Sequence, residues 1–288
     1  MGPMAPSNSK LNSSAVLTQQ IAGEFASLPQ VDAVALAGSK TSEFPDGDSD
    51  VDLYVYVTED IPLELRASIA KGALRAEIGN MTWEPGDEWI DPENGTAVDI
   101  MYRHVRWIEE QLDRVLVQHQ ASVGYSTCFW YNVLNSQPLF DRTGWFAEFQ
   151  RQAKQPYPQE LKKAIITKNY RLLRDTQSSY LHQIELAVKR SDSVSVNHRV
   201  AALVASYFDV LFAVNELAHP GEKRLLQHAA RCAKKPADME KQVRSVIRAI
   251  GNGGMVGRVN ELVDGLEELL LREGIHSDSS PRYGSVAG

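Results

Sequence analysis

Apolar residues recur at helical spacing at Leu17, Ile21, Phe25 and Leu28, and this pattern predicts an amphipathic helix over 17–28. Val31 to Ala37 is short, apolar and followed by Gly38, as expected for a strand that ends in a turn. Thr41 to Ser49 contains Pro45, Gly47 and acids at 43, 46 and 48, and reads as a loop. Val51 to Val57 alternates and is dense in β-branched and aromatic residues, which makes it the clearest strand in the chain. A helix is expected from Pro62 to about Glu77, with the proline in its first turn. Asn80 to Glu84 and Thr96 to Arg103 read as two further strands around a connection rich in proline and glycine. Residues 105–118 and 123–135 read as helices.

The period changes after about Asp141, and from Pro158 onward the pattern is helical throughout. Between Pro158 and Lys189, Ile165, Ile166, Leu172, Leu173, Ile184 and Val188 fall on one face. Lys163, Arg171, Arg174, His182 and Glu185 fall on the other, and read as a solvated face with pairing one turn apart. Further helices are expected at about 193–217, 222–233, 236–250 and 258–272, separated by Pro220-Gly221 and the glycines at 251, 253 and 254. The fold class is therefore α+β. Residues 11–150 would form a domain with a mixed β-sheet flanked by helices, and 151–275 a helical bundle. Residues 1–10 and 276–288, rich in Ser, Gly and Pro, read as disordered tails.

Composition narrows the function. Thirty Lys and Arg against 37 Asp and Glu give a formal net charge of -7, which disfavours a general nucleic-acid coat, because that needs a clustered excess of cations. No nucleic-acid partner is expected. Cys128 and Cys232 lie far apart and form no metal-ligand spacing, so neither a disulfide framework nor a structural zinc site is expected, and free thiols suit a cytoplasmic setting. The first ten residues have no apolar core and no stretch is long and apolar enough to span a bilayer, so neither a secretory leader nor a membrane partner is expected.

The chemistry is concentrated between Val34 and Val57. An apolar strand ends in Gly38-Ser39, and after the acidic loop Asp50 and Asp52 open the second strand. Side chains alternate along a strand, so both carboxylates point to one side, while Val51, Leu53, Val55 and Val57 point to the other. Adjacent carboxylates repel unless a cation intervenes. Mg²⁺ suits them, because it prefers hard oxygens and is held by one or two carboxylates plus substrate phosphates. A glycine lets a phosphate approach the backbone. Asp99, flanked by Val98 and Ile100, is the best candidate for a third acid, although Asp87, Glu88, Asp91 and Glu93 are near it in sequence and Arg103 or Arg106 could instead pair with it.

An apolar strand, Gly-Ser, a spacer, Asp-x-Asp and a later third acid together resemble the nucleotidyltransferase superfamily related to DNA polymerase β. Gly38, Ser39, Asp50, Asp52 and Asp99 match that pattern position by position. The length, the order of the two halves and the segment Tyr207–Leu226 look similar to the antibiotic-modifying branch, the aminoglycoside and lincosamide nucleotidyltransferases. The resemblance implies two Mg²⁺ ions held by Asp50, Asp52 and Asp99, and a nucleoside triphosphate, with ATP favoured. It also implies in-line attack by a hydroxyl of a small molecule and release of pyrophosphate. Ser39 and nearby N–H groups would steady the phosphates. Asp99 is a possible base, with Glu84 and Glu88 as alternatives. Glu160, Glu185 and Glu216 are the candidates from the helical half. Lys223, at an expected helix start, would contact triphosphate, and Lys168 and Arg171 are further candidates. The competing expectations are a protein-modifying, antitoxin-like nucleotidyltransferase and a non-catalytic nucleotide-binding homologue.

Overall fold

The computed structural model describes residues 8–41, 50–82 and 84–275, with the side chains of 8–13 and Ser39 left out. The expected 41–49 loop, apart from Thr41, lies outside the described residues, as do Trp83, residues 1–7 and the tail from 276. The protein is α+β, with a six-stranded mixed sheet, flanking helices and a C-terminal set of helices. Its strands are β1 (Val31–Leu36), β2 (Val51–Val57), β3 (Leu74–Asn80), β4 (Gly86–Ile90), β5 (Ala97–His104) and β6 (Gln137–Asp141). They lie in the order β3-β4-β5-β2-β1-β6. β2 and β5 run parallel, and every other neighbouring pair is antiparallel.

The chain forms two compact units. One comprises residues up to Leu112 together with Asn132–Gln155, and the other Asp113–Tyr131 together with the chain from Pro156 onward. In the first, α1 (Asn8–Ala26) and α2 (Leu63–Ile69) cover one face of the sheet. Ile21 and Phe25 pack there against Val34, Val51, Leu53, Val55, Val98 and Ile100. A parallel central pair buried on its apolar face accounts for the run of branched residues in β2. After β5 come α3 (Val105–Leu116) and α4 (Cys128–Asn135). On the other face of the sheet, Tyr56 stacks on Phe146 of α5 (Trp145–Ala153), with centroids 4.9 Å apart.

The middle of the first unit departs from the sequence pattern. The helix expected to reach Glu77 ends at Ile69, and the chain turns through Gly72 at φ +84° into β3. Leu74–Asn80 is a mostly exposed edge strand without an apolar face, so its Ala, Arg, Glu and Leu read as helix. The strand expected at Asn80–Glu84 lies instead at 86–90. There Asp87, fully buried on the core side, accepts from Arg66 Nη2 at 2.5 Å, Arg66 Nε at 2.9 Å, the Tyr102 hydroxyl at 2.6 Å and the Gly79 N–H at 2.7 Å. A buried acid in an acidic strand is legible only once its arginine is known. β6, an edge strand containing Pro138, and α5 had no clear signal in the sequence.

The second unit includes α6 (Gln159–Tyr170), α7 (Tyr180–Lys189), α8 (Ser193–Val214), α9 (Leu225–Ala230), α10 (Met239–Arg248) and α11 (Met255–Arg272). The single amphipathic stretch read over 158–189 is interrupted by a π-helical turn at Arg171–Asp175, and Ser179 restarts it by accepting from the His182 N–H. The last nine residues of α8, Ser206–Val214, are all buried, which makes this helix the centre of the unit. Within it Asp209 accepts from the Ser126 N–H at 3.0 Å, the Ser126 hydroxyl at 2.6 Å and Asn169 Nδ2 at 3.0 Å.

Burial pushes the Asp209 carboxyl up to about 6 despite those donors. A raised folded value means that the native state holds this proton more tightly than the unfolded chain does. Its contribution is full below the unfolded value near 3.8 and is lost as pH rises through about 6. Each pH unit in that window is worth about 1.4 kcal/mol. Urea unfolding at pH 4.5 and 7.5 is therefore expected to show a smaller drop with rising pH in Asp209→Asn than in the parent. Equal pH dependence in both proteins would refute this assignment.

Candidate active site

The site is built on the sheet face opposite α1 and α2. β2 pairs β5 in parallel with Asp52 directly across from Asp99. Cross-strand partners share a face, and neighbouring strands are about 4.8 Å apart. Asp52 and Asp99 are each half-buried. Asp50 lies one residue before β2 and is exposed. On the other side of Asp99, β4 places Glu88 opposite it, and β3 places Glu77 opposite Glu88. The row Glu77, Glu88, Asp99, Asp52 thus crosses four strands on one face.

β1 shapes the neighbouring ground. Its bulky residues Val31, Val34 and Leu36 pack with the α1 and α2 core, whereas Ala35 is paired with Tyr54, and the Ala37 N–H donates to the Asp52 carbonyl at 2.9 Å. Gly38 then opens a 3₁₀ turn, Gly38–Lys40, at φ +66°. A Cβ on Gly38 would stand 1.8 Å from Asp52 Oδ2. The carboxylate of Asp52 therefore occupies the space that any other residue at 38 would fill. Gly38→Ala should cost at least about 1–2 kcal/mol from the left-handed backbone alone. It should also displace Asp52, so urea unfolding should show reduced stability; a parent-like midpoint would contradict this packing.

Lys40 was not anticipated, although it directly follows the Gly-Ser pair. Its Nζ donates to the Ser14 hydroxyl of α1 at 2.5 Å. Burial lowers its ammonium below the ordinary value, while Asp52 and Asp50 act in the opposite sense. Lys40 is thus within electrostatic reach of Asp52 and Asp50. Ser39 lies in the same turn, and its side chain is outside the described residues.

The alternative bases separate clearly. Both oxygens of Glu84 accept from Arg103, at 2.8 Å to Nε and 2.9 Å to Nη2. Arg103 is almost fully buried and lies 3.7 Å over the Tyr54 ring. Glu84 is thus committed to a bidentate pair with Arg103. Glu88 is exposed, and Asn80 Nδ2 donates to it over a long 3.5 Å. Among the described residues, no group of three or more His, Cys, Asp or Glu side chains is gathered closely enough to hold a metal ion. The in-register pair Asp52 and Asp99 nonetheless suits Mg²⁺, which takes hard oxygens and commonly needs one or two carboxylates beside substrate phosphates.

The remaining candidates belong to the second unit. Lys223 sits exposed in a turn, because the expected helix start at 222 moves to Leu225 and the helix is six residues long. Glu216 accepts from Lys162 Nζ at 2.8 Å, and that bond holds its carboxyl below the usual range. Glu185 lies 3.5 Å from His182. Glu160, Lys168 and Arg171 line an open groove on α6. Among the described residues, no helix is long and apolar enough to cross a membrane.

No family model matches the chain, and no curated protein does. Among solved structures, it is similar to a nucleotidyltransferase-like protein from Exiguobacterium sibiricum, at 13% identity and a TM-score of 0.44, over 90% of this chain and 75% of that one. A CCA-adding enzyme in complex with CTP is 13% identical, with a TM-score of 0.33, over 94% of this chain and 69% of that one. The Thermotoga maritima CCA-adding enzyme complexed with tRNA is 14% identical, with a TM-score of 0.32, over 96% and 68%. These likenesses are too distant to carry an argument, so the functional reading rests on the site itself.

Proposed function

We infer that the protein moves a nucleoside monophosphate from a nucleoside triphosphate, ATP favoured, to a hydroxyl of a small molecule, with pyrophosphate as the other product. One observation carries this reading: Asp52 and Asp99 are paired across two parallel strands, and Gly38 leaves the space that the Asp52 carboxylate fills. Asp52 and Asp99, with Asp50 as third donor, would hold Mg²⁺, which when bound neutralises charge on the attacking and leaving oxygens.

The chain's own groups would do the rest. Asp99 would take the proton of the acceptor hydroxyl, and Glu88, its cross-strand partner, would be the alternative base. Glu84, paired with Arg103, supports the wall of the site instead. The backbone of the Gly38–Lys40 turn and the Lys40 ammonium would receive the phosphates. The row from Glu77 to Asp52 favours a cationic acceptor, so aminoglycosides are the first acceptors to try, followed by lincosamides. In this reading residues 11–150 carry the catalytic domain and 151–275 the helical one.

The test incubates the full chain with Mg²⁺, each nucleoside triphosphate and a panel of such acceptors. It reads pyrophosphate release and the mass of the acceptor. Release that requires an acceptor, with one nucleotide gained by it, is the expected result. No release with any acceptor, or mass gained by a co-purified protein alone, would sink the reading.

A further inference from the structure

On the site face of the sheet, three rows of side chains follow one another along the parallel pair β2 and β5. Asp52 lies across from Asp99, Tyr54 from Met101 and Tyr56 from Arg103. Alternate residues of a strand share a face, so the second and third rows form the ground beside the acids. The third row is anchored: Tyr56 is fully buried, stacks on Phe146 and meets Trp145 edge-on with centroids 5.4 Å apart.

Arg103 is the unusual residue in that ground. It is only 2% exposed, and burial penalises its charge. It turns back diagonally onto the second row, with its guanidinium carbon 3.7 Å from the centroid of the Tyr54 ring. Diagonal neighbours on adjacent strands are within reach of long and aromatic side chains. Both Glu84 oxygens grip the guanidinium, at 2.8 Å from Nε and 2.9 Å from Nη2. Tyr54 is itself buried, and its ring meets Tyr56 edge-on with centroids 6.4 Å apart. The ring is thus confined by the guanidinium on its face and by Tyr56 beside it.

A buried ion pair is weak evidence for stability, because apolar residues of like volume commonly serve as well. An apolar residue would not supply a planar, charged cap held in one orientation by a carboxylate. Asp52 is the neighbour of Tyr54 on the same side of β2, and its carboxylate already fills the space at Gly38. A fixed ring next to it removes further freedom from that carboxylate.

We propose that Arg103 is a positioning residue: by capping Tyr54 it fixes the ring beside Asp52, and so holds that carboxylate in place across from Asp99. The consequence for rate rests on the transfer reading above, whereas the placement of the carboxylates does not.

The experiment records the side-chain carboxyl carbon NMR signals of the full chain labelled at aspartate, assigned with Asp52→Asn, Asp99→Asn and Asp87→Asn. Arg103→Lys keeps the charge and loses the planar cap, and Tyr54→Leu removes the ring while Arg103 stays. Both should shift the Asp52 signal, and Asp99 with it, while Asp87 on the opposite face keeps its position. Glu84→Gln should lower the urea midpoint, because a buried charge loses its counter-ion. It should leave the Asp52 and Asp99 signals near those of the parent, because the cap on Tyr54 persists. An unmoved Asp52 signal in either folded variant, Arg103→Lys or Tyr54→Leu, would overturn the proposal. So would a shift of Asp87 together with the others, which would mean a general distortion of the sheet, or an equal shift in Glu84→Gln, which would place the effect in the charge of the ion pair. Where the parent releases pyrophosphate, Arg103→Lys should cut kcat by about tenfold or more with the nucleotide KM nearly unchanged, and a parent-like kcat would count against the proposal as well. No release by the parent would defeat the transfer reading, while the carboxyl signals would still decide this one.

Discussion

Asp52→Asn should lower acceptor-dependent pyrophosphate release by about a thousandfold or more, which is about 4 kcal/mol of transition-state stabilisation. Asn keeps the shape of the side chain and its place beside Gly38, but removes the charge that would hold a divalent ion between β2 and β5. The fold should survive, because Asp52 is half-buried on the open face and the core lies on the other side of β2. Urea unfolding should therefore give nearly the parent midpoint while activity collapses. If release persisted near the parent rate, Asp52 would not be a metal ligand and the transfer reading would lose its centre. Asp99→Asn should behave the same way, since it occupies the paired position on the neighbouring strand.

The largest loss of stability is expected on the reverse side of the same sheet. Asp87→Ala removes the acceptor of four hydrogen bonds and leaves the Arg66 guanidinium, the Tyr102 hydroxyl and the Gly79 N–H without their partner in a buried place. Removing one member of a buried pair costs about 3–5 kcal/mol, because the stranded charge has lost both water and its counter-ion. Tyr102 also lies 4.1 Å under Arg66, so the hydroxyl, the ring and the guanidinium are disturbed together. Denaturant unfolding of the first unit should shift by that amount, with Asp87→Asn intermediate. A loss below about 1 kcal/mol would mean that Arg66 finds water, and that the pair contributes little to the edge of the sheet.

The two halves of the chain were unequally legible. β1 was readable as a short apolar run ending at a glycine, and β2 because its branched apolar residues recur at every second position. Alternation assigns the acids at 50 and 52 a common side; the structure has Asp52 within β2 and Asp50 one residue before it. β3 and β4 were not readable, because their stability comes from neighbours far along the chain: Leu74–Asn80 pairs with β4 at the edge, and Asp87 depends on Arg66. The π turn interrupts a stretch whose apolar spacing looks continuous from Pro158 to Lys189.

For the site, the Gly-Ser and Asp-x-Asp pattern was present in the sequence, and Lys40 stood next to it unread. Its relevance follows from the way the 3₁₀ turn brings it beside the acids and Ser14. Glu84 and Glu88 were indistinguishable as carboxylates four residues apart. Only tertiary placement gave one to Arg103 and set the other opposite Asp99.

By itself, the order of residues determined the α+β class, the helical character of the second half and the candidate acids, because local periodicity and local spacing are short-range properties of a chain. The pairing of Asp52 with Asp99 and the partner of each buried charge were decided only by the tertiary structure. Those relations depend on which distant segments become neighbours, and that is set by burial and register across the whole sheet and bundle rather than by any single stretch.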